Sequence, residues 1–431
     1  MSASINLPHE HEPLDTSTHQ IRLVHLVTSY NTEDSVSIKL KTYDLDTAPP
    51  YIALSYAWDD ADPEYRDVKY PISLDGAILQ VGRTLYTAFV ELRDKIQELS
   101  EDSPLVDMPI WVDQVCIDQL NIAERNHQVA MMASIYSSAE RVLVWLPEAH
   151  LEPYDLELAN WMDAENQSLD LEDEADRDSI ERVSAVFKAS YWTRLWVVQE
   201  TLLAKERYSL FPGGIFVSWT GMGKLHGHYK DYFENEHVYE VKELLAKSLD
   251  DIPMPLGQAI NRFCIQGCKD PRDKVYALHG IVKDSEQVVV DYHKPVQAVF
   301  VDTVQVLHNV YVIHLDHFAS STSIYRGDNQ VSAMRGNELQ DYLRILAREL
   351  DLLDTSSGQV TRETEHQRRG LEAMLEDLFR GHRNNLLLNC IVTDCPMEVG
   401  YIEDSFCSPA RSNVFPDRWW IESAGERRYY K

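Results

Sequence analysis

Four charged side chains stand together where a short apolar run gives way to a helix-forming one. Asp113, Asp118, Glu124 and Arg125 lie in the stretch from Trp111 to Leu146, WVDQVCIDQLNIAERNHQVAMMASIYSSAERVLVWL. Asp113 can orient a substrate or an arginine; a buried acid needs such a partner, and backbone amides of the next loop would serve equally. Arg125, near a helix start, can hold a phosphate or carboxylate. It can as well pair with Glu124 or Asp118. Cys116 reads as an inert core thiol, because no histidine is fixed near it in sequence. Cys264 and Cys268 form a CxxxC that no second pair or histidine cluster completes, so no metal site is expected.

The elements that position these groups are set by the apolar pattern. Ile110 to Cys116 is short, apolar and β-biased, which predicts a buried strand. Asp118 and Asn121 can cap a helix beginning at about Ile122. Val129, Met132, Ile135, Tyr136 and Ala139 recur at helical spacing, and Arg141 to Leu146 is a second buried strand. Strand, helix and strand make a βαβ unit. In open α/β sheets ligands bind at the carboxyl ends of the strands, which is where the charged residues fall.

Upstream, Ile21 to Leu26 suits an edge strand and Ser35 to Asp44 can pair with it. Tyr51 to Trp58 (YIALSYAW) is a strand entering a loop, and Asp75-Gly76 between β-biased runs signals a hairpin. Leu85, Phe89, Leu92, Ile96 and Leu99 mark one face of a helix. Downstream, Pro153 to Ala164 reads as helix. Residues 163–181 carry nine acids and one arginine and read as an exposed insert or loop, with a helix from about Ser179 to Ala189. Arg194 to Ala204 is helical, and strands are expected at Arg207 to Phe211 and Ile215 to Trp219. Beyond them the pattern turns mainly helical, at 237–249, 256–266, 273–282, 295–309, 337–353 and 363–380. Short strands are expected at Val288 to Tyr292 and Leu386 to Thr393, before an aromatic tail.

The chain has 431 residues, 44% of them apolar, which is ample for a core. A formal charge of −30 without any basic stripe argues against nucleic acid. No apolar run reaches membrane-spanning length, and the N-terminus lacks a signal-peptide core, so a cytoplasmic protein with reduced thiols is expected. The expected domains are a disordered segment 1–18, an α/β domain over 19–220, and a helical region over 221–431 packing on it.

Three blocks carry a family resemblance: YIALSYAW at 51–58, the run from Trp111 to Leu146, and YWTRLWVVQE at 191–200. In this order they resemble the fungal heterokaryon-incompatibility (HET) domain. A fourth block, DPRDKVYALHG at 270–280, is similar to a segment common just after that domain. The resemblance implies an α/β fold, HET-like and distantly TIR-like: an open, mostly parallel sheet with flanking helices, before the helical C-terminal region. Three loop positions depart from the family. Asp59 stands where Gly is usual, Asp118 where Asn is usual, and Pro147 where Gly is usual. Proline fixes φ and removes a donor where glycine would allow close approach to a ligand.

Some TIR domains cleave NAD with a helix glutamate in a Trp-Cys-x-x-Glu motif. Trp196 and Glu200 share that spacing, which puts both on one helical face. A carboxylate against an apolar wall can carry a raised pKa or stabilise an oxocarbenium-like transition state. Alternatively, Glu200 pairs with Arg194 and fixes the helix. The resemblance thus implies an incompatibility or cell-death protein, acting by NAD cleavage or by self-association, with Glu200, Asp113 and Arg194 as catalytic candidates. Tyr56, Trp58, Asp59, Asp118, Arg125, Trp192 and Trp196 are the candidate ligand-binding residues of an aromatic, acidic pocket for a small molecule. The runner-up is a HET-like scaffold recruited to fungal secondary metabolism as a cyclase or pericyclase, for example of hetero-Diels–Alder type. Such an enzyme needs only a dry aromatic pocket and no cofactor, and none is expected here. A scaffold without catalysis is the third reading.

Overall fold

The computed structural model of the chain describes residues 10–27, 36–58, 60–99, 106–165, 169–170, 172–232, 244–245, 252–263, 265–307, 398–401, 419–423 and 426–430. The chain divides into two units, Met1–Pro295 and Val296–Lys431.

The first unit is built on a nine-stranded sheet. In chain order come β1 (Gln20–Leu26), β2 (Ser37–Asp44), β3 (Ile52–Tyr56), β4 (Lys69–Leu74) and β5 (Ala77–Gly82), then helix α1 (Arg83–Glu98). Next are β6 (Ile110–Trp111), the single turn α2 (Asp113–Cys116), α3 (Ile122–Ser138) and β7 (Arg141–Trp145). Helices α4 (Pro153–Glu165), α5 (Glu174–Lys188) and α6 (Val197–Leu202) lead to the hairpin of β8 (Arg207–Phe211) and β9 (Ile215–Ser218), and then to α7 (Trp219–Tyr229). The strand order is β5-β4-β2-β1-β6-β3-β7-β8-β9. Its centre, β6-β3-β7-β8, is parallel, and the pairs β1–β2, β4–β5 and β8–β9 are antiparallel. The βαβ unit is present, with β3 inserted between its two strands.

The physical reasons are local. All five residues of β3 are buried, as a central parallel strand covered on both faces requires. Asp75 and Gly76 take φ of 49° and 88°, the left-handed pair that a two-residue hairpin demands. Leu85, Phe89, Leu92 and Ile96 form the buried stripe of α1. Asn121 caps α3 by accepting from the Glu124 amide.

Several expectations are corrected. Only Ile110–Trp111 is strand in the run to Cys116; Asp113–Cys116 forms one helical turn, because Val115 and Cys116 bury as well in a turn as in a strand. The strand at Ile21 to Leu26 is interior, between β2 and β6. Helix α5 starts at Glu174, inside the acidic stretch, capped by Asp173 and with Asp176 buried, whose carboxylate accepts from the Asp170 amide and the Tyr154 hydroxyl. The helix expected from Arg194 begins at Val197. Val288 to Tyr292 forms no strand. The expected helices at 337–353 and 363–380, most of 237–249, and the expected strand at Leu386 to Thr393 lie outside the described residues, as does Asp59.

In the second unit, residues 296–307 are helical. Glu398–Tyr401, Trp419–Ser423 and Glu426–Tyr430 form an antiparallel three-stranded sheet, in which Trp419 faces Tyr430 and Trp420 faces Tyr429. Among the described residues no helix is long and apolar enough to cross a membrane.

A buried ion pair fastens β1 to the start of α3. Arg22 and Glu124 are each 2% exposed and meet at 2.5 Å and 2.9 Å, while Arg22 also donates to the carbonyls of Cys116 and Glu12. Burial opposes ionisation of Glu124, but the bonds from Arg22 win and hold its carboxyl below the ordinary value. Removing one partner strands the other charge. Glu124→Gln is expected to lower the unfolding free energy by about 3–5 kcal/mol in urea at neutral pH. A loss below about 1 kcal/mol, the size of an exposed pair, would contradict this.

Candidate functional site

The site forms where β3 and β6 end and α6 packs over them. Ser55, the one polar side chain inside the apolar run of β3, is 1% exposed. Its hydroxyl is bonded to the carboxylate of Glu200 on α6 and lies 2.8 Å from the Tyr191 hydroxyl. A hydroxyl has one proton to give, so when Ser55 donates to an ionised Glu200, Tyr191 donates to Ser55. Arg194, just before α6, donates to the Tyr56 carbonyl. Asp113, the first residue of α2, accepts from the Trp58 indole at 2.9 Å and from the Gln114 amide at 2.7 Å. Tyr56 donates to the Gln114 side chain at 2.9 Å.

Electrostatics decide what these groups can do. Burial pushes the Glu200 carboxyl up to about 7, Arg194 opposes the shift, and the Asp113 charge adds to it. Burial also raises Asp113, against the pull of Arg194 and the Trp58 bond. One guanidinium therefore serves two carboxylates. Tyr56, Tyr136 and Tyr191 are all pushed up by burial and stay neutral at physiological pH. Near neutrality Glu200 is poised between acid and carboxylate, with phenols and Arg194 around it. Glu200 itself is 2% exposed, whereas Trp58, Asp113 and Arg194 are half-buried and form the rim.

The remaining candidates divide. Trp196 turns away from Glu200 and donates to Asp273 at 3.0 Å. Tyr292 donates to the other oxygen of Asp273 at 2.6 Å, and Arg125 stacks 3.9 Å over the Tyr292 ring. Burial raises Asp273 to about 6, against those two bonds. Asp118 accepts from the Leu120 amide within its own loop. Trp192 is in the core, bonded to the Val186 carbonyl and packed on Trp219. The structure thus brings together Tyr56, Trp58, Asp113, Arg194 and Glu200, and places Trp196 and Arg125 in a second cluster. Ser55, Gln114 and Tyr191 escaped the sequence reading; a lone serine in an otherwise apolar central strand was the available signal for Ser55. Burial pushes the Cys116 thiol up to about 12, which fits an inert core residue. Among the described residues, no group of three or more His, Cys, Asp or Glu side chains can hold a metal ion.

Comparison with known proteins agrees with this geometry in extent. Residues 51–200, from the residue before β3 to Glu200, match the family described as heterokaryon incompatibility protein (HET). A 181-residue stretch is 30% identical to "Heterokaryon incompatibility protein 6, OR allele" of Neurospora crassa, covering 41% of this chain and 24% of that protein. The chain therefore spans about a quarter of the relative it matches. No solved structure matches the chain. Residues 51–200, which carry β3, β6, β7, the helices around them and Glu200, are thus similar to the heterokaryon-incompatibility (HET) family, and the relative that matches is a fungal protein.

Proposed function

We propose that the chain is an incompatibility-type protein whose HET domain cleaves the bond between nicotinamide and ribose in NAD. The observation that carries this reading is the state of Glu200: a buried carboxyl raised to about 7, bonded to Ser55 and set beside Arg194. In the reaction the C1′–N bond breaks and its electron pair returns to the pyridinium nitrogen, so neutral nicotinamide leaves. A water oxygen forms the new bond to C1′ and releases one proton. The transition state is oxocarbenium-like, with positive charge developing on the ribosyl C1′ and ring oxygen. Ionised Glu200 stabilises it in a low-dielectric setting where such a charge acts strongly. Asp113 and the Trp58 ring at the rim suit the cationic, flat nicotinamide.

The cyclase reading needs Tyr56, Trp58, Trp192 and Trp196 around one cavity. Trp192 lies in the core and Trp196 on Asp273, so no observation favours that reading.

Ionisation of Glu200 also has a stability cost. Its folded pKa of about 7 lies above the ordinary 4.5, so between these values the folded state holds more protons than the unfolded one. Stability then falls as pH rises from about 4.5 to about 7 and levels off above. A purely structural position would be served better by glutamine, and a functional one accepts the loss. Glu200→Gln is expected to gain about 2–4 kcal/mol relative to wild type when urea denaturation is moved from pH 5 to pH 8. The same pH dependence in both proteins would overturn the assignment of the raised carboxyl to Glu200.

For activity, purified protein is incubated with NAD and nicotinamide is measured over time. Turnover by wild type and a loss of about 100-fold or more in Glu200→Gln are expected. Absence of turnover by wild type, where a TIR control is active, would overturn the proposed reaction.

A further inference from the structure

Helix α6 has six residues, too few to hold a fixed orientation by itself. It nevertheless carries Glu200, and the turn before it carries Arg194. Their side chains bond to Ser55 and to the Tyr56 carbonyl, but the groups that grip the backbone and the neighbouring side chains around them come from beyond residue 200, where the family match ends. Gly267 donates to the Thr193 carbonyl at 2.6 Å and accepts from the Leu195 amide at 2.8 Å, so backbone bonds grip either side of Arg194. The Gln266 side chain donates to the Trp192 carbonyl at 3.2 Å. Asp273 accepts from the Trp196 indole at 3.0 Å, at the first turn of the helix. The Gly280 amide donates to the Gln199 side chain at 3.3 Å, one residue before Glu200. A side chain at Gly280 would meet Ala133 and Gln199 at 2.7 Å, so only glycine lets the segment close on α3 and α6.

We propose that residues 266–280 are a positioning clamp for α6, and that Asp273, acting through the Trp196 indole, is the positioning residue that sets where Glu200 and Arg194 stand. Asp273 suits the role because its other oxygen is held by Tyr292, with Arg125 and Asp270 as the neighbouring charges. Glu200 faces Ser55 on β3, Tyr191 and Arg194 before α6, and the charge of Asp113 on α2. None of these touches Asp273, and the charges that shift Glu200 are those of Arg194 and Asp113, so an effect that Trp196→Phe shares with the Asp273 variant runs through the placement of the helix. Nicotinamide release as a measure of the clamp rests on the function proposed above; the position of Glu200 does not.

The test is therefore a carboxyl titration. Wild type, Trp196→Phe, Asp273→Leu and the double variant are prepared with 13C-carboxyl-labelled glutamate, and the Glu200 resonance is assigned by its loss in Glu200→Gln. Asp273→Leu removes the acceptor at similar size, and Trp196→Phe keeps an aromatic ring and removes the donor, so it serves if Asp273→Leu fails to fold. Each single variant is expected to lower the Glu200 midpoint by about half a pH unit or more, toward the ordinary value, as the loosened helix admits water. The double variant is expected to match the single ones, because both act through one bond. In nicotinamide release, kcat is expected to fall by about tenfold with KM little changed. An unmoved midpoint in both single variants overturns the clamp, as does an additive shift in the double variant. If midpoints move while wild type releases no nicotinamide, the clamp stands and the proposed reaction falls.

Discussion

A carboxylate bonded to a serine across the layer between a central strand and a short helix sets the terms for this molecule. Glu200 and Ser55 are both buried, and the strand that supplies Ser55 is otherwise apolar. A charge in such a place is tolerated only when partners surround it. Ser55 and Arg194 are those partners, with Tyr191 bonded to Ser55, while the like charge of Asp113 works against them. Their positions depend in turn on where β3 and β6 end, on the turn α2, and on the segment that grips α6 from behind. The order of the central strands, with β3 between the two strands of the βαβ unit, is what brings residues 55, 113 and 200 to one place.

Two buried glutamates in the same domain show how environment divides structure from chemistry. Glu124 shares its carboxylate with one arginine at two points and lies below its ordinary value. It stabilises the fold in its charged form. Glu200 competes with Asp113 for a single arginine, which is also engaged by the Tyr56 carbonyl, and lies above its ordinary value. It destabilises the fold in its charged form. The first arrangement is a fastener, and the second is a group held ready to ionise.

The sequence made the sheet readable where the pattern was local. The alternation and apolar runs of β1, β2, β3 and β7, the Asp75-Gly76 turn and the stripe of α1 were all legible, because period and turn chemistry act over a few residues. Val112 to Cys116 misled, since an apolar run of that length buries equally well as a strand or as one turn of helix. The site was legible in part. Asp113, Arg194 and Glu200 were named and act on one another through their charges, but the partner that fixes Glu200 lies 145 residues away in sequence and Arg22 lies 102 from Glu124. Pairing over such separations leaves no trace in a local pattern. The helical spacing of Trp196 and Glu200 suggested one shared face, yet the indole is drawn to Asp273 by a hydrogen bond from another part of the chain.

Everything proposed for the site depends on Glu200 ionising near neutral pH, a shift that burial makes, Arg194 opposes and the charge of Asp113 adds to. The direct measurement is the pH dependence of kcat/KM for nicotinamide release, in wild type and in Asp113→Asn. The wild-type profile should rise through a midpoint near 7, and the variant's midpoint should move to lower pH once the neighbouring charge is gone. A flat profile, or a midpoint that stays in place in Asp113→Asn, would contradict it.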